Sequence, residues 1–434
     1  MKSRTTRRSF LQTSAVLSCG YWISGQAQAQ TSRSPNEKLN IAIIGVNNRG
    51  RANTGGVKSE NIVVLCDIDD QYLDAAAGQF PQADRMNDWR DVCERKDVDA
   101  VVISTADHHH ALAAVKAMRC GKHVYCEKPL AHTVEEARAV RDAFKQSNVA
   151  TQMGTQIHAT DNYRRVVELV QSGAIGPVRE AHVWCGRSSG KVGPLPATPE
   201  IPPHLHWDVW LGPASDRPFN AGYLPGNLCW NRWWDFGNGV LGDMGSHLID
   251  LPFWALDLKH PEKVYADGPP VDAYANPPWM IVNWDHPATD QRPAVKVSWY
   301  HHKKRPPSPT GIDLSTWGIG VMFVGEKGQL VADYDRRVLL PAKEYEGFEP
   351  PEPTIASSLG HYREWIHAAK TGEPTLCNFE YSGALIEHNL LGNVAYRVGE
   401  GLTWDADKFE AVGNPNAEQF IKKEYRAGWD TLHV

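Results

Sequence analysis

No long block of like charge interrupts the 434 residues, and Asp and Glu exceed Lys and Arg only by 51 to 45, a formal charge of -6. That balance excludes the clustered basic surface of a nucleic-acid binder. No apolar run reaches the roughly 18 residues that a membrane-crossing helix needs. The eight cysteines contain no CxxC pair and no short regular spacing, so neither a zinc knuckle nor a disulfide framework is indicated. Seven of them (Cys66, Cys93, Cys120, Cys126, Cys185, Cys229 and Cys377) follow the N-terminal segment, and most of these read as small buried residues. Internal repeats and low-complexity tracts are also missing, which excludes a solenoid. Tryptophan, in contrast, is plentiful: there are 16, many of them between residues 184 and 254. Such side chains serve as core or rim, and they are also flat faces on which pyranose rings can stack.

The N-terminus reads as an address. Residues 6–12 (TRRSFLQ) form a twin-arginine pattern, residues 15–23 are modestly apolar, and Ala27-Gln28-Ala29 supplies small residues for cleavage. Residues 1–29 are therefore expected to be a twin-arginine signal peptide handed to the export machinery, and residues 30–38 a polar leader. The expected location is the periplasm or another exported site. Lipid attachment at Cys19, within Ser18-Cys19-Gly20, is the competing expectation.

The remaining length predicts two domains of unequal size. Residues 39–44 are a short apolar run, read as a buried parallel strand ending in Gly45-Val46-Asn47-Asn48-Arg49-Gly50. A dinucleotide fingerprint wants glycine at the first, third and sixth positions of such a turn. Asn47 stands at the third, where asparagine tolerates a left-handed backbone better than most residues. A second apolar strand at 62–66 ends in Asp67, positioned to accept hydrogen bonds from an adenosine ribose and to repel a 2′-phosphate. NAD is thus expected over NADP.

Further strands at 98–104, 122–126 and near 149–154 alternate with helices at 111–119 and 134–146. This completes a doubly wound Rossmann domain over residues 39–154. The third strand leads into Thr105 and three consecutive histidines ending at His110; the fourth leads into Glu127-Lys128-Pro129 at the carboxyl edge of the sheet. Adjacent histidines rarely converge on one ion, so no metal site is expected.

From residue 155 to 434 a helix at 162–172 precedes strands near 178–184, 263–267, 280–284, 294–300, 321–324 and 328–333, then late helices at 362–370 and 381–398. This pattern predicts an α+β domain with a large, mostly antiparallel open sheet. Arg187 follows the first of these strands, and Trp184 lies on it. Both are candidates to meet a substrate.

The segment 236–254 (FGNGVLGDMGSHLIDLPFW) is rich in glycine and carries Asp243 and His247 at i, i+4. A helix from about residue 240 would set the two on one face, where the carboxylate can fix the imidazole tautomer and raise its pKa.

The glycine turn at Gly45–Gly50, Thr105 through His110, Gly121-Lys122-His123-Val124-Tyr125 followed by Glu127-Lys128-Pro129, and Asp243 with His247 together resemble one family: the glucose–fructose oxidoreductase / inositol dehydrogenase / rhizopine catabolism (Gfo/Idh/MocA) oxidoreductases. The resemblance covers residues 39 onward and implies a Rossmann domain, a C-terminal α/β domain with a large open sheet used in dimers or tetramers, and tightly held NAD(P). It implies that Lys128 touches the nicotinamide ribose and tunes the base, that His247 takes the substrate hydroxyl proton, and that Asp243 orients His247 or contacts substrate. Gly45, Asn47, Arg49, Gly50, Asp67, Thr105, His110, Glu127 and Lys128 would hold the nucleotide. Asn47 and Ala106 depart from the usual pattern, where glycine and proline are common. An exported enzyme meets little free nucleotide, so a non-dissociating NAD and oxidation at a ring hydroxyl of a sugar or glycoside, at C3 for instance, are the leading expectation. Redox-neutral glycoside cleavage on the same residues is the alternative, and a non-catalytic nucleotide- or sugar-binding scaffold is the second.

Overall fold

The computed structural model describes residues 37–189, 193, 195–198, 200–224 and 228–433. The expected signal peptide, the leader up to residue 36 and Cys19 lie outside the described residues.

Short apolar runs form a six-stranded sheet. Its strands are β1 (Asn40–Ile44), β2 (Asn61–Cys66), β3 (Asp84–Met86), β4 (Ala100–Ile103), β5 (His123–Cys126) and β6 (Thr151–Met153). The order is β3-β2-β1-β4-β5-β6, and every pairing is parallel. Both faces are covered, which explains why β1 and β4 carry apolar side chains at nearly every position. Alternation sends Ile41, Ile43, Ala100 and Val102 to one layer and Ala42, Ile44, Val101 and Ile103 to the other. Trp365 and Ile366 complete the first layer; they come from a helix at His361–Thr371, long after the second sheet begins.

That second sheet has nine strands. They are β7 (Val178–Cys185), β8 (Lys263–Asp267), β9 (Ile281–His286), β10 (Val295–His301), β11 (Ile319–Gly325), β12 (Gln329–Ala332), β13 (Arg337–Leu340), β14 (Leu402–Asp405) and β15 (Glu410–Ala411). The order is β13-β12-β11-β7-β10-β9-β8-β14-β15. Only β7 and β10 pair in parallel; the rest are antiparallel. Its inner face packs Val183, Val297 and Phe323 against Leu248 and Phe253 in a core continuous with the first sheet. Trp184, Met322 and Val331 face the other way, against Leu314 and Trp317.

Three local expectations change. Helix Asp107–Arg119 begins before residue 111 and takes all three histidines into its buried first turn. The residues 84–86 (DRM) form an edge strand that no apolar pattern announces. Most important, the turn at Leu241–Gly245 is a π-helix, followed by helical Ser246–Leu248 and Asp250–Ala255. A Cβ on Gly242 would collide with Asn238, and the Ser246 hydroxyl donates to the Gly242 carbonyl at 2.5 Å. Small residues thus let the chain take one wide turn, a device often found where side chains must be re-aimed.

The C-terminal segment returns to the first sheet. Arg90 and Arg119 donate to the carbonyls of Gly428 and Thr431 at 2.9 and 2.6 Å, and Trp429 packs beside Trp89 with ring centroids 6.0 Å apart.

Candidate active site

A cleft of about 470 Å³ opens at the carboxyl edge of the parallel sheet, beside β1 and β4 where strand order reverses. Open α/β sheets bind ligands at this switch point. Gly45 enters it with φ +83°, and a Cβ there would lie 2.5 Å from the Ser104 carbonyl oxygen. A Cβ on Gly50 would run into the Gly45 carbonyl. Both positions therefore require glycine. The missing third glycine is compensated one residue later than expected: Asn48, not Asn47, takes the positive φ, at 48°. Asn47 lines the cleft while its side-chain oxygen accepts from Arg51 at 3.0 Å.

Asp67 closes this end. Its oxygens accept the backbone N–H groups of Val46 at 2.9 Å and Asp69 at 3.1 Å, so the carboxylate is fixed against the glycine turn. Burial pushes its pKa up to about 6 against the pull of those amides, which leaves it largely ionised at neutral pH. The fixed carboxylate and the side-chain-free turn fit the ribose and pyrophosphate of a dinucleotide.

Residues 204–212 roof the same end. Leu205 bridges Asp69, the Asp70 N–H donates to the His204 carbonyl at 2.9 Å, and the His206 N–H donates to the Ile68 carbonyl at 2.8 Å. Leu205, Val209 and Trp210 then face the cleft with Asp67 and Tyr72.

Glu127 is the buried hub of the middle. One oxygen accepts from Arg49 at 2.9 Å, Gln156 at 2.9 Å and Asn53 at 3.1 Å. Arg49 is therefore tied to Glu127 as well as to the cleft wall. His110 sets the shape beside it: Nδ1 lies 2.7 Å from the Pro129 carbonyl and Nε2 lies 3.0 Å from the Thr105 carbonyl. Burial lowers its pKa despite both carbonyls. A neutral ring has one N–H to give, so it donates to one of these two carbonyls and packs against the other, between the Thr105 turn and the segment carrying Lys128. The two preceding histidines diverge from it. His108 and His109 meet the Trp210 carbonyl at 3.0 and 2.8 Å, and Trp89 donates to His109 Nδ1 at 3.1 Å. Among the described residues no group of three or more His, Cys, Asp or Glu is arranged to hold a metal ion.

The far end carries concentrated charge. Lys128, after β5, forms an ion pair with buried Asp243, and Arg187, after β7, reaches the other Asp243 oxygen at 3.1 Å. Burial alone would raise the Asp243 carboxyl, but Lys128, His247 and Arg187 hold it below the ordinary range. Asp243 and His247, expected as a pair, remain electrostatic neighbours, while the hydrogen bonds described for the two carboxylate oxygens come from Lys128 and Arg187. His247 lies on the same wall. Its Nδ1 is buried without a partner, and burial together with Lys128 pushes its pKa down to about 3, the reverse of the rise expected from a carboxylate neighbour. The Tyr163 hydroxyl holds its backbone, donating to the His247 carbonyl at 3.2 Å.

Trp184 is a correction. It is fully buried in the outer layer of the second sheet, donates to the Trp317 carbonyl at 2.9 Å, and takes no part in the cleft. Sequence reasoning missed Gln156, Tyr334 and Trp230, which do line it. Tyr334 stands edge-on to His247, ring centroids 6.4 Å apart. It comes from a turn whose pattern carries no sign of a site.

A doubly wound sheet with a dinucleotide turn and a lysine at its carboxyl edge, facing an aspartate and a histidine on the π-turn and the helix after it, defines a nicotinamide-nucleotide oxidoreductase scaffold. Residues 39–155 match the model described as oxidoreductase family, NAD-binding Rossmann fold, and residues 172–289 match the model for the family's C-terminal alpha/beta domain. The chain belongs to the Gfo/Idh/MocA oxidoreductase family. It is 29% identical over 188 residues to levoglucosan dehydrogenase of Pseudarthrobacter phenanthrenivorans, covering 43% of this chain and 40% of that one. It is 33% identical over 147 residues to inositol 2-dehydrogenase of Salmonella typhimurium, covering 33% and 43%. The chain thus spans well under two thirds of the length of these relatives. The fold resembles the WlbA dehydrogenase of Bordetella pertussis, solved with NADH and UDP-GlcNAcA, with TM-score 0.61, 16% identity, and 86% of this chain and all of that one covered.

Proposed function

We propose that the protein is an exported, NAD-dependent dehydrogenase that oxidises a ring hydroxyl of a sugar or glycoside and keeps its nucleotide bound between turnovers. The observation that carries this reading is one continuous cleft: Gly45, Asn47 and Asp67 lie toward one end, and Lys128, Asp243, Arg187 and His247 toward the other. The similarity to levoglucosan and inositol dehydrogenases supports a polyhydroxylated ring as substrate. Export rests on residues 1–29 of the sequence, and assembly as a dimer or tetramer rests on the family resemblance.

Bound NAD would supply the hydride acceptor, held by the glycine turn and Asp67. The chain's own groups then handle the proton and the charge. His247 is neutral at working pH, and Nε2 is the nitrogen left to face the cleft, since Nδ1 is buried. To accept a hydroxyl proton at Nε2, the ring must carry its own proton on Nδ1. An imidazole this reluctant to charge needs help, and Lys128 supplies it: the ammonium stabilises negative charge on the substrate oxygen. Lys128 and Arg187 outweigh Asp243 by one positive charge, so the site favours an oxyanion before the proton has fully left. Asp243 holds Lys128 in place and leaves the other ammonium N–H groups for substrate.

Retention of the nucleotide is supported by the roof over residues 67–72, whose backbone is bonded to residues 204–206. The test is single-turnover spectroscopy of the purified full chain with candidate sugars and no added nucleotide. Reduced nicotinamide absorbance should rise to no more than one equivalent per chain and fall when a carbonyl acceptor is added. Cleavage of a glycoside with no net reduction would favour the redox-neutral alternative. No absorbance change and no cleavage with any sugar would favour the scaffold.

A further inference from the structure

A second cavity of about 170 Å³ has no part in this chemistry. Its central side chain is Arg397, in the last turn of the helix Phe379–Val398. The guanidinium carbon lies 4.8 Å from the Trp234 ring centroid and 4.2 Å from that of Phe420. Burial alone lowers its pKa to about 10, with no carboxylate opposing it. The two rings stabilise the charge through cation–π contact but cannot accept the guanidinium N–H groups, which have five hydrogen bonds to give.

The neighbours add donors. Lys422 and Lys423 line the cavity with Asn393 and Gln419. The lysines have acid partners, Glu418 at 2.8 Å and Glu136 at 2.7 Å, and Lys423 also meets His132 Nδ1 at 3.1 Å. Burial and Lys423 hold the His132 ring well below its usual pKa, and hence neutral. The acids lining the cavity leave Arg397 unneutralised, since Asp235 is paired with Arg217 and Glu424 is exposed. Among the described residues Arg397 forms no ion pair with an acid, and the unpaired Glu424 of the lining is exposed to solvent; a planar fork of this kind in a concave site rich in donors matches an oxyanion in bidentate fashion.

We propose that this cavity binds a phosphate group, free or carried by a small phosphorylated metabolite, with Arg397 as its main ligand and Lys422 at its rim. The site adjoins the catalytic charges through two stretches of backbone. Lys128 faces the cleft and His132 this cavity, and Asn238, which lines the cavity, donates to the Ala131 carbonyl between them at 3.2 Å. Asn238 also leads directly into the π-turn carrying Asp243.

Inorganic phosphate and glucose 6-phosphate, titrated separately by calorimetry into the full chain with NAD present, test this. Saturable one-site binding is expected, accompanied by a change in tryptophan fluorescence from Trp234. Arg397→Met should weaken it about tenfold or more, the scale of a lost charge-assisted hydrogen-bonded pair, with bound nucleotide and melting temperature unchanged. Lys422→Gln, at the exposed rim, should weaken it about two- to threefold; it keeps the test intact if the first variant folds poorly. Equal affinity for the two probes identifies the bare ion as ligand, and much tighter binding of the sugar phosphate identifies a metabolite. Saturable binding of neither probe, or binding unaltered in both variants, overturns the proposal.

Discussion

The two ends of the cleft are built in different ways. The nucleotide end is made chiefly of backbone: two glycines, the Val46 and Asp69 amides, and one carboxylate they hold. All lie within residues 45–69. The end proposed as catalytic is made of three charged side chains and one neutral histidine from three separate segments, at residues 128, 187 and 243–247. A site made by backbone depends on local chain geometry and is tolerant of neighbours. A site made by converging charges depends on the whole fold, and each member changes the ionisation of the others.

The sharpest way to separate the ends is to remove one without the other. His247→Ala should lower turnover about 10²- to 10⁴-fold, the usual worth of a positioned acid–base group, while the nucleotide stays bound. Full activity of that variant would remove His247 from the reaction. Lys128→Met should cost about 10²- to 10³-fold, like loss of one oxyanion donor. A loss confined to KM, with kcat intact, would make the lysine a binding group only.

At the other end, Asp67→Ser should narrow the preference for NAD over NADP about tenfold or more, since a carboxylate no longer repels the 2′-phosphate. Relative affinities from competition would reveal it, and an unchanged ratio would mean that Asp67 does not face the ribose.

The two ends should also respond differently to acid. Asp67 loses its charge as pH falls through about 6, so nucleotide affinity should weaken below that pH and be constant above it. His247 is already neutral at pH 5, with its pKa near 3, so its titration should add no limb to the rate profile between pH 5 and 8. A limb near 6.5 that vanishes in His247→Asn would contradict the depressed pKa. The smallest effect belongs to Trp184→Phe, which should cost about 1 kcal/mol of stability through its lost hydrogen bond and leave KM unchanged.

What the sequence disclosed follows the same division. The runs of β1 and β4 and the spacing from Gly45 to Asp67 are local, so the parallel sheet and the nucleotide turn were legible. The open antiparallel sheet followed from its alternating strands. Asp84–Met86 was not legible because an edge strand needs little apolar pattern. The π-turn escaped notice because helical periodicity assumes one residue fewer in that turn. Spacing along a helix pointed from Asp243 to His247, which is an electrostatic neighbour, but could not disclose Lys128 and Arg187, which the fold brings to the same carboxylate. Tyr334 and Gln156 carry no pattern at all; only the meeting of the two sheets makes them part of a wall.

The central claim is that this cleft holds a resident NAD, and the most direct measurement is to identify what the protein already carries. The protein, purified without added nucleotide and then denatured, should release near-stoichiometric NAD or NADH by absorbance and mass. Release of NADP would contradict the role given to Asp67. A protein that releases nothing and binds neither added nucleotide would contradict the account as a whole.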